Sequence, residues 1–533
     1  MLNTLQHRQH TVKKITVNHI DVSKKNKELF DFPKLYNRSA VKTKRVIAQQ
    51  LLQEYLYNSS VHGMKYFSKL QIKSSIIGKL FWTSIMICSF VFLTLMLQKF
   101  WTRYSTNPTR SIIRSFHIPI FRAPFPALTI CPLIPPMSSR RRKVFESLRL
   151  PHGMSNATGR FLVRYGPAFA NENAPGGKAH LKDLKSLLKL NNMSLIDLII
   201  ALRPCEDIFE SCAWNDVNMN CSELFKVSYT FTGICCSFNY LLEDYIQNGS
   251  NTENLKNLLT TPLYGPNSGL TILLNRNFLV EDDPTEEKYV KYSTNSVGLV
   301  MFPHHPLEYV TTLATRQILQ TEQELQISVT PFIKKKLEGY YEENSRGELV
   351  PNCADESTKL KYFPLYRYSN CFTSCSIEAV LQACSCVPYY YTPVAKKYSL
   401  KICDWTDVEC LYKNSNDTRI IQNVVTENLT CECLTPCWNV VYDLRTSTLE
   451  LNGDHDFNPP LYKNLSDAQS VLRIFMRSET FMEMDTIPVA DELYLLSSLG
   501  GIFSLFLGCS FISVIEILYF LGLFLCSTYK KSK

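Results

Sequence analysis

Residues Leu493 to Tyr529 read LYLLSSLGGIFSLFLGCSFISVIEILYFLGLFLCSTY, and this stretch decides the architecture of the chain. Its 37 residues carry one charged side chain, Glu516, and hold a glycine pair, Gly500-Gly501, followed by Gly508-Cys509-Ser510. An unbroken helix of that length would run to about 55 Å, nearly twice the ~30 Å hydrocarbon core of a bilayer, so the segment must tilt, protrude or break. The glycines mark where a break costs least. Backbone released from helical bonding is tolerated at membrane depth only where protein buries it or water reaches it, so a break here implies a conduit.

A second apolar run lies far upstream, LFWTSIMICSFVFLTLML from Leu80 to Leu97, between Lys79 and Gln98-Lys99. It begins too late and runs too long for a signal peptide and reads as a first membrane helix. Residues 1–80 hold fifteen Lys or Arg and four Asp or Glu, a net +11 against +9 for the whole chain. Basic residues crowd the approach to the first helix (Lys65, Lys69, Lys73, Lys79) and the exit of the second (Lys530, Lys531, Lys533), which places both termini in the cytoplasm. Lys99, Arg103, Arg110 and Arg114 follow the first helix and dilute that signal, so the cysteines must arbitrate.

Of nineteen cysteines, Cys88, Cys509 and Cys526 fall in the apolar segments and sixteen lie between them. The same interval holds Asn-x-Ser/Thr acceptors at Asn156, Asn192, Asn220, Asn248, Asn416, Asn428 and Asn464; Asn220, with Cys221 as its middle residue, is the weakest. Asn37 and Asn58 also match the pattern but sit on the cytoplasmic side. Dense, even cysteines and sequons together indicate an oxidising, glycosylating compartment. The organisation read from this is a cytoplasmic region 1–75, a first transmembrane helix 76–100, an extracellular domain 101–490, a second transmembrane segment 491–527 and a cytoplasmic tail 528–533. Within the middle, Leu181 to Leu202 has helical apolar periodicity, while Gly269–Leu274 and Gln326–Pro331 read as short strands. The expected fold class is an α+β membrane protein, two transmembrane helices carrying a large disulfide-rich mixed β/α extracellular domain.

From Cys353 the cysteines stand at 353, 371, 375, 384, 386, 403, 410, 431, 433 and 437. Tight groups on the ascending limb answer tight groups on the descending limb, the pattern of nested bridges closing one lobe, although ten cysteines allow hundreds of pairings. Zinc is disfavoured, because Cys384-Ser385-Cys386 and Cys431-Glu432-Cys433 lack the two-residue spacers of structural zinc sites. Closing the outermost loop would contribute roughly 4 to 5 kcal/mol in the chain-entropy model.

The ladder, the glycine-broken segment and a set of short motifs together resemble the degenerin/epithelial sodium channel family, in particular its insect pickpocket branch. The motifs are Val61-His62-Gly63, Phe125-Pro126-Ala127-Leu128-Thr129-Ile130-Cys131, Gly233-Ile234-Cys235-Cys236-Ser237-Phe238-Asn239 and Cys431-Glu432-Cys433-Leu434-Thr435-Pro436-Cys437, then Leu499 to Ser513 with Glu516. The resemblance implies bridges Cys353–Cys437, Cys371–Cys433, Cys375–Cys431, Cys384–Cys410 and Cys386–Cys403, with Cys131–Cys235 and Cys212–Cys221 upstream. Cys205 and Cys236 are left over by even count and form one more pair, and the partners of adjacent Cys235 and Cys236 are exchangeable at this stage.

The resemblance also implies a trimer in which Gly508, Cys509 and Ser510 form the selectivity filter, backbone and hydroxyl oxygens replacing part of a small cation's water shell. Small residues here also suit plain helix packing. Ser497 matches the position where the family's gate senses side-chain bulk, beside Gly500 and Gly501, and His62-Gly63 matches its cytoplasmic gating motif. Glu516 is ionisable at membrane depth and is read either as a cation-holding group below the filter or as an assembly contact. Asp491 and Glu492, with Glu483 and Asp485, are read as an outer mouth that concentrates cations or as a solvated face. Basic residues before His62 have anionic membrane lipid as a candidate partner, a solvated tail being the plainer reading.

The chain departs from the family pattern at Ser504 and Pro132, and Trp101-Thr102-Arg103-Tyr104 stands where acid-sensing members carry a histidine pair. His304-His305 is read as an exposed loop pair rather than a proton or metal site. No phosphate-binding loop, His-Glu-x-x-His or Gly-x-Ser-x-Gly turn is present, so no enzyme, cofactor, resident metal or nucleic-acid partner is expected, permeant Na+ aside. The expected function is a sodium-permeable, amiloride-sensitive cation channel subunit of the plasma membrane, homo- or heterotrimeric, gated by a mechanical or chemical stimulus, an extracellular ligand included. The alternatives are a membrane-anchored cysteine-rich receptor or adhesion protein and a different two-helix trimeric ligand-gated channel.

Overall fold

The computed structural model describes residues 44–68, 76–106, 109–133, 136–169, 177–248, 258–276, 278–279, 298–336, 341–343, 347–355, 358–403, 407–414, 431, 433–451, 465, 469–488 and 492–529. The chain divides into two compact units, Met1–Thr106 with Ala490–Lys533, and Asn107–Val489. The first apolar helix runs from Ile76 through Trp101 to Thr106, past the expected end at residue 100.

The Asn107–Val489 unit is built on two sheets. The larger one orders β1 (Thr109–Pro119), β15 (Thr480–Pro488), β10 (Gln323–Lys336), β14 (Val471–Met476), β7 (Leu270–Leu274), β3 (Phe209–Trp214) and β4 (Val217–Met219), with β13 (Trp438–Glu450) also on β10. The smaller orders β5 (Phe225–Thr230), β6 (Gly233–Phe238), β2 (Ala127–Pro132), β8 (Leu299–His304) and β9 (Gln317–Leu319), and β11 (Tyr341–Glu343) pairs β12 (Leu349–Pro351) apart. Strand β10 alternates, burying Leu325, Ile327, Val329 and Ile333 while the residues between them are less covered, as a period of two requires. The window Gln326–Pro331 is thus the middle of a 14-residue strand. Pro331, which has no amide to donate, falls where β10 changes partner, parallel to β14 up to Val329 and parallel to β15 from Phe332.

Strands β2, β6 and β8 are buried at every position, which is why they read as continuous apolar runs rather than alternating ones. One core joins the sheets: Leu128, Ile130, Phe238 and Met301 of the small sheet pack with Ile272, Ile327, Leu472 and Ile474 of the large one. Gly269, at the lip of β7, has φ +75°, and a Cβ there would overlap the Ile474 carbonyl oxygen and lie 3.0 Å from Phe475 Cα. Gly269→Ala should therefore cost about 3 kcal/mol, from left-handed strain and backbone overlap together. A thermal midpoint of the solubilised full chain equal to wild type would contradict it.

Between β2 and β3 stands a helical lobe, Ser138–Ser147, Asn156–Phe169, Gly177–Leu190 and Leu195–Leu202, with its own core of Leu162, Leu184, Leu187, Leu188, Leu198 and Leu202. The periodic run Leu181–Leu202 is two helices here. Asn192 takes φ 50°, and Ser194 restarts the chain through a capping box with Asp197, whose carboxylate accepts the Ser194 N–H at 2.9 Å.

The structure holds eight disulfides, Cys131–Cys235, Cys205–Cys236, Cys212–Cys221, Cys353–Cys437, Cys371–Cys433, Cys375–Cys431, Cys384–Cys410 and Cys386–Cys403. The open choice at Cys235 and Cys236 is resolved by β6 geometry: adjacent residues of a strand face opposite ways, so one reaches β2 and the other the turn at Cys205. Three of the nested bridges start from the helix Tyr368–Cys384.

In the Met1–Thr106 and Ala490–Lys533 unit, Ile76–Ser105 is, among the described residues, the one single helix long and apolar enough to cross a membrane. Leu493–Leu507 and Phe511–Cys526 meet the same criterion as a pair, bent by 72° at the break between them.

Candidate pore site

The break falls at Gly508-Cys509-Ser510, whereas Gly500 and Gly501 continue the Glu492–Leu507 helix. The cause is local. Gly508 adopts φ +62° and its amide bonds back to the Ser504 carbonyl at 2.9 Å, an αL helix ending that favours glycine. Ser513 then restarts the chain: its hydroxyl accepts the Ser510 N–H at 3.0 Å, and its own amide bonds to the Ser510 carbonyl at 3.0 Å.

The His-Gly turn lies against this break. His62 donates its backbone N–H to the Leu507 carbonyl at 3.0 Å, satisfying an acceptor that the ended helix leaves open. A Cβ on Gly508 would overlap the His62 ring. Ser60 donates its N–H to Glu516 Oε2 at 3.0 Å and shares a hydroxyl hydrogen bond of 2.6 Å with the buried Ser513. On the other side Gly63, φ +83°, is pressed close enough that a Cβ would lie 2.9 Å from Met86 Sδ of the Ile76–Thr106 helix. Ring contacts fix the flanks, Tyr66 stacked on Trp82 at 4.0 Å and Tyr55 edge-on to Phe520 at 5.4 Å.

The structure therefore brings together three features that the sequence presents separately: His62-Gly63, Gly508 to Ser510, and Glu516. Ser60, which ties them with Ser513, was not singled out in the sequence, and Ser513 stood there only as the end of the Leu499 to Ser513 motif, with no spacing signal for this role. Ser497 sits exposed on the Glu492–Leu507 helix, away from the break, and Cβ atoms at Gly500 or Gly501 would meet nothing within 4 Å among the described residues. Phe92 faces Phe506 at 6.3 Å and Phe100 faces Tyr494 at 6.5 Å, so that helix packs along Ile76–Thr106.

Two readings need correction. Glu483 is not a free solvated carboxylate: it is 8% exposed and ion-paired with Lys335, and Asp485 pairs with Arg114 at 3.4 Å. Both belong to the β1–β15–β10 sheet. Asp491 lies outside the described residues, and Glu492 opens its helix. The pair His304-His305 is buried rather than exposed, at 7% and 1%. His304 Nδ1 donates to the His305 carbonyl at 2.9 Å, so Nε2 accepts from Thr129 Oγ1 at 2.8 Å, a neutral tautomer. Burial pushes the His304 imidazole down to about 4, and burial with the neighbouring Arg367 guanidinium lowers His305 further from the usual range. Neither imidazole then charges in the physiological window.

Among the sequons, Asn156, Asn192 and Asn248 are exposed. Asn220 is exposed too, and its side-chain carbonyl caps the turn at Ser222 N, 3.2 Å away. Asn416, Asn428 and Asn464 lie outside the described residues.

Eight disulfides thus brace the Asn107–Val489 unit, which in chain order follows an apolar helix and precedes a glycine-broken helix pair. Residues 55–520 match the amiloride-sensitive sodium channel family, and the chain belongs to it. Sodium channel protein Nach of Drosophila melanogaster is 26% identical over 491 residues, covering 90% of this chain and 88% of that protein. Pickpocket protein 28 of the same fly is 24% identical over 88% of this chain and 77% of its own length. The epithelial sodium channel subunit gamma of Xenopus laevis is 22% identical over 62% and 47%.

Proposed function

We propose that the chain is a subunit of a sodium-permeable, amiloride-sensitive cation channel of the plasma membrane, assembled as a homo- or heterotrimer with related subunits. Both apolar segments cross the bilayer and both termini are cytoplasmic. The reading rests on the break at Gly508-Cys509-Ser510, held from below by His62 and Ser60 and flanked by Glu516. A helix ended at membrane depth is costly unless its freed oxygens meet protein or water, and carbonyl and hydroxyl oxygens arranged around a threefold axis suit a small hard cation. Ser497 with Gly500 and Gly501 forms the gate above it, and a mechanical or chemical stimulus reaches that gate through the disulfide-braced extracellular unit.

Voltage-clamp recording with sodium replacement is the test, on cells expressing this chain alone and with related subunits. An inward current that vanishes when sodium is exchanged for a large organic cation, and that amiloride blocks, is the expected result. If wild type and Ser497→Val both reach the surface yet pass no sodium current in any pairing, the receptor reading prevails.

A further inference from the structure

The Asn107–Val489 unit has a cavity of about 490 Å³, lined by Arg114, Ser115 and Ile118 of β1, Arg122 just beyond it, Ile333 and Lys335 of β10 and Glu483 of β15. The volume falls in the usual range for small-molecule sites. Its charges do not cancel. Lys335 neutralises Glu483, and Arg114 pairs with Asp485 through a contact of 3.4 Å in which the arginine is 61% exposed, a screened and weak pairing. Arg122 makes no ion pair or side-chain hydrogen bond among the described residues. Three cations thus face one carboxylate, with one guanidinium uncommitted. The rest of the lining is the Ser115 hydroxyl and two isoleucines: Ile333 belongs to the small cluster of Ala123, Ile333, Val440 and Phe481, and Ile118 packs against it.

We infer that this cavity binds a small organic anion, a carboxylate or sulfonate whose charged end meets Arg122 and Arg114 and whose short apolar body covers Ile118 and Ile333. A guanidinium recognises such a group through paired N–H donors, and an apolar floor rejects a fully hydrated inorganic ion. The site straddles β1 and β15, the first and last strands of the unit, so an occupant ties their pairing to ligand concentration. It stands whether or not the chain conducts sodium, since binding is read without current.

The test uses the assembled full-length protein in lipid nanodiscs, titrated calorimetrically with benzoate, with benzamide as the neutral isostere and benzylamine as the cation. Saturable benzoate binding, weakened by salt, is expected, with benzamide and benzylamine binding far more weakly. Arg122→Ala should weaken benzoate at least about tenfold, the loss of one charge-assisted hydrogen bond, and Arg122→Lys should restore part of it. Arg122 is exposed, so both variants should fold, which near-ultraviolet circular dichroism checks. Equal binding of benzamide, absence of saturable benzoate binding, or unchanged affinity in Arg122→Ala overturns the inference.

Discussion

Alanine at Gly508 is expected to remove nearly all sodium current while leaving surface expression measurable. Two costs add at this one position. The αL backbone, φ +62°, strains any residue with a Cβ by about 1 to 2 kcal/mol. The new methyl also overlaps the His62 ring, so the His-Gly turn must leave its seat and surrender the bond from His62 N–H to the Leu507 carbonyl. Leaving that carbonyl without a partner at membrane depth costs a further 1 to 3 kcal/mol or so. The total is enough to lower the properly built fraction a hundredfold. The design separates strain from collision: His62→Ala removes the ring, so the double variant Gly508→Ala with His62→Ala should recover current over Gly508→Ala alone. Additive losses in that cycle would show that ring and glycine do not meet.

The second large effect is of opposite sign. Ser497→Val should raise the resting sodium current by about tenfold, a shift of about 1.4 kcal/mol in the closed–open balance. Ser497 is exposed, and Cβ atoms at Gly500 and Gly501 would meet nothing within 4 Å among the described residues, so in the proposed trimer added bulk is felt where a neighbouring subunit closes against this helix. A branched side chain there disfavours the tightly packed closed arrangement and leaves the wider open one less affected. Single-channel recordings should show raised open probability at unchanged conductance. A changed conductance with unaltered open probability would put Ser497 in the ion path instead of the gate.

The parts of this chain that were legible in its sequence are those where chemistry is local. A glycine break in the long apolar run was legible because such a helix has few cheap places to end, though length alone left Gly500-Gly501 and Gly508 as equal candidates; β7 was legible because Leu270 to Leu274 is short, apolar and preceded by a glycine. Strand β10 was half legible: its middle, Gln326 to Pro331, read as a short strand, but Pro331 looked like its end. Only the hand-over from β14 to β15 shows why proline is tolerated there. His304 and His305 misled because a histidine pair beside prolines resembles a loop, and burial there depends on Thr129 and Arg367, which stand 175 and 62 residues away in the chain. Likewise nothing local connects Ser60 to Ser513, a contact across 453 residues, or turns Glu483 inward onto Lys335. Long-range polar partners are set by topology, and topology is what a single sequence withholds.

The ladder between β1 and β15 has a mechanical side. It is antiparallel, with Thr109 opposite Pro488 at one end and Pro119 opposite Thr480 at the other. The points where the chain enters and leaves the extracellular unit are therefore neighbours. Tension that draws those two points apart loads the ladder at its Thr109–Pro488 end and breaks it one pair at a time, as a zipper opens, whereas tension that moves them together loads the strands lengthwise without separating them. The register irregularities between Ile113 and Ser115 and between Ser115 and Ile118 interrupt the ladder partway, so a peeling front starting at Thr109 would meet its first weak step within a few residues. Spreading the two exits is thus the soft direction of this unit, and moving them in concert the stiff one.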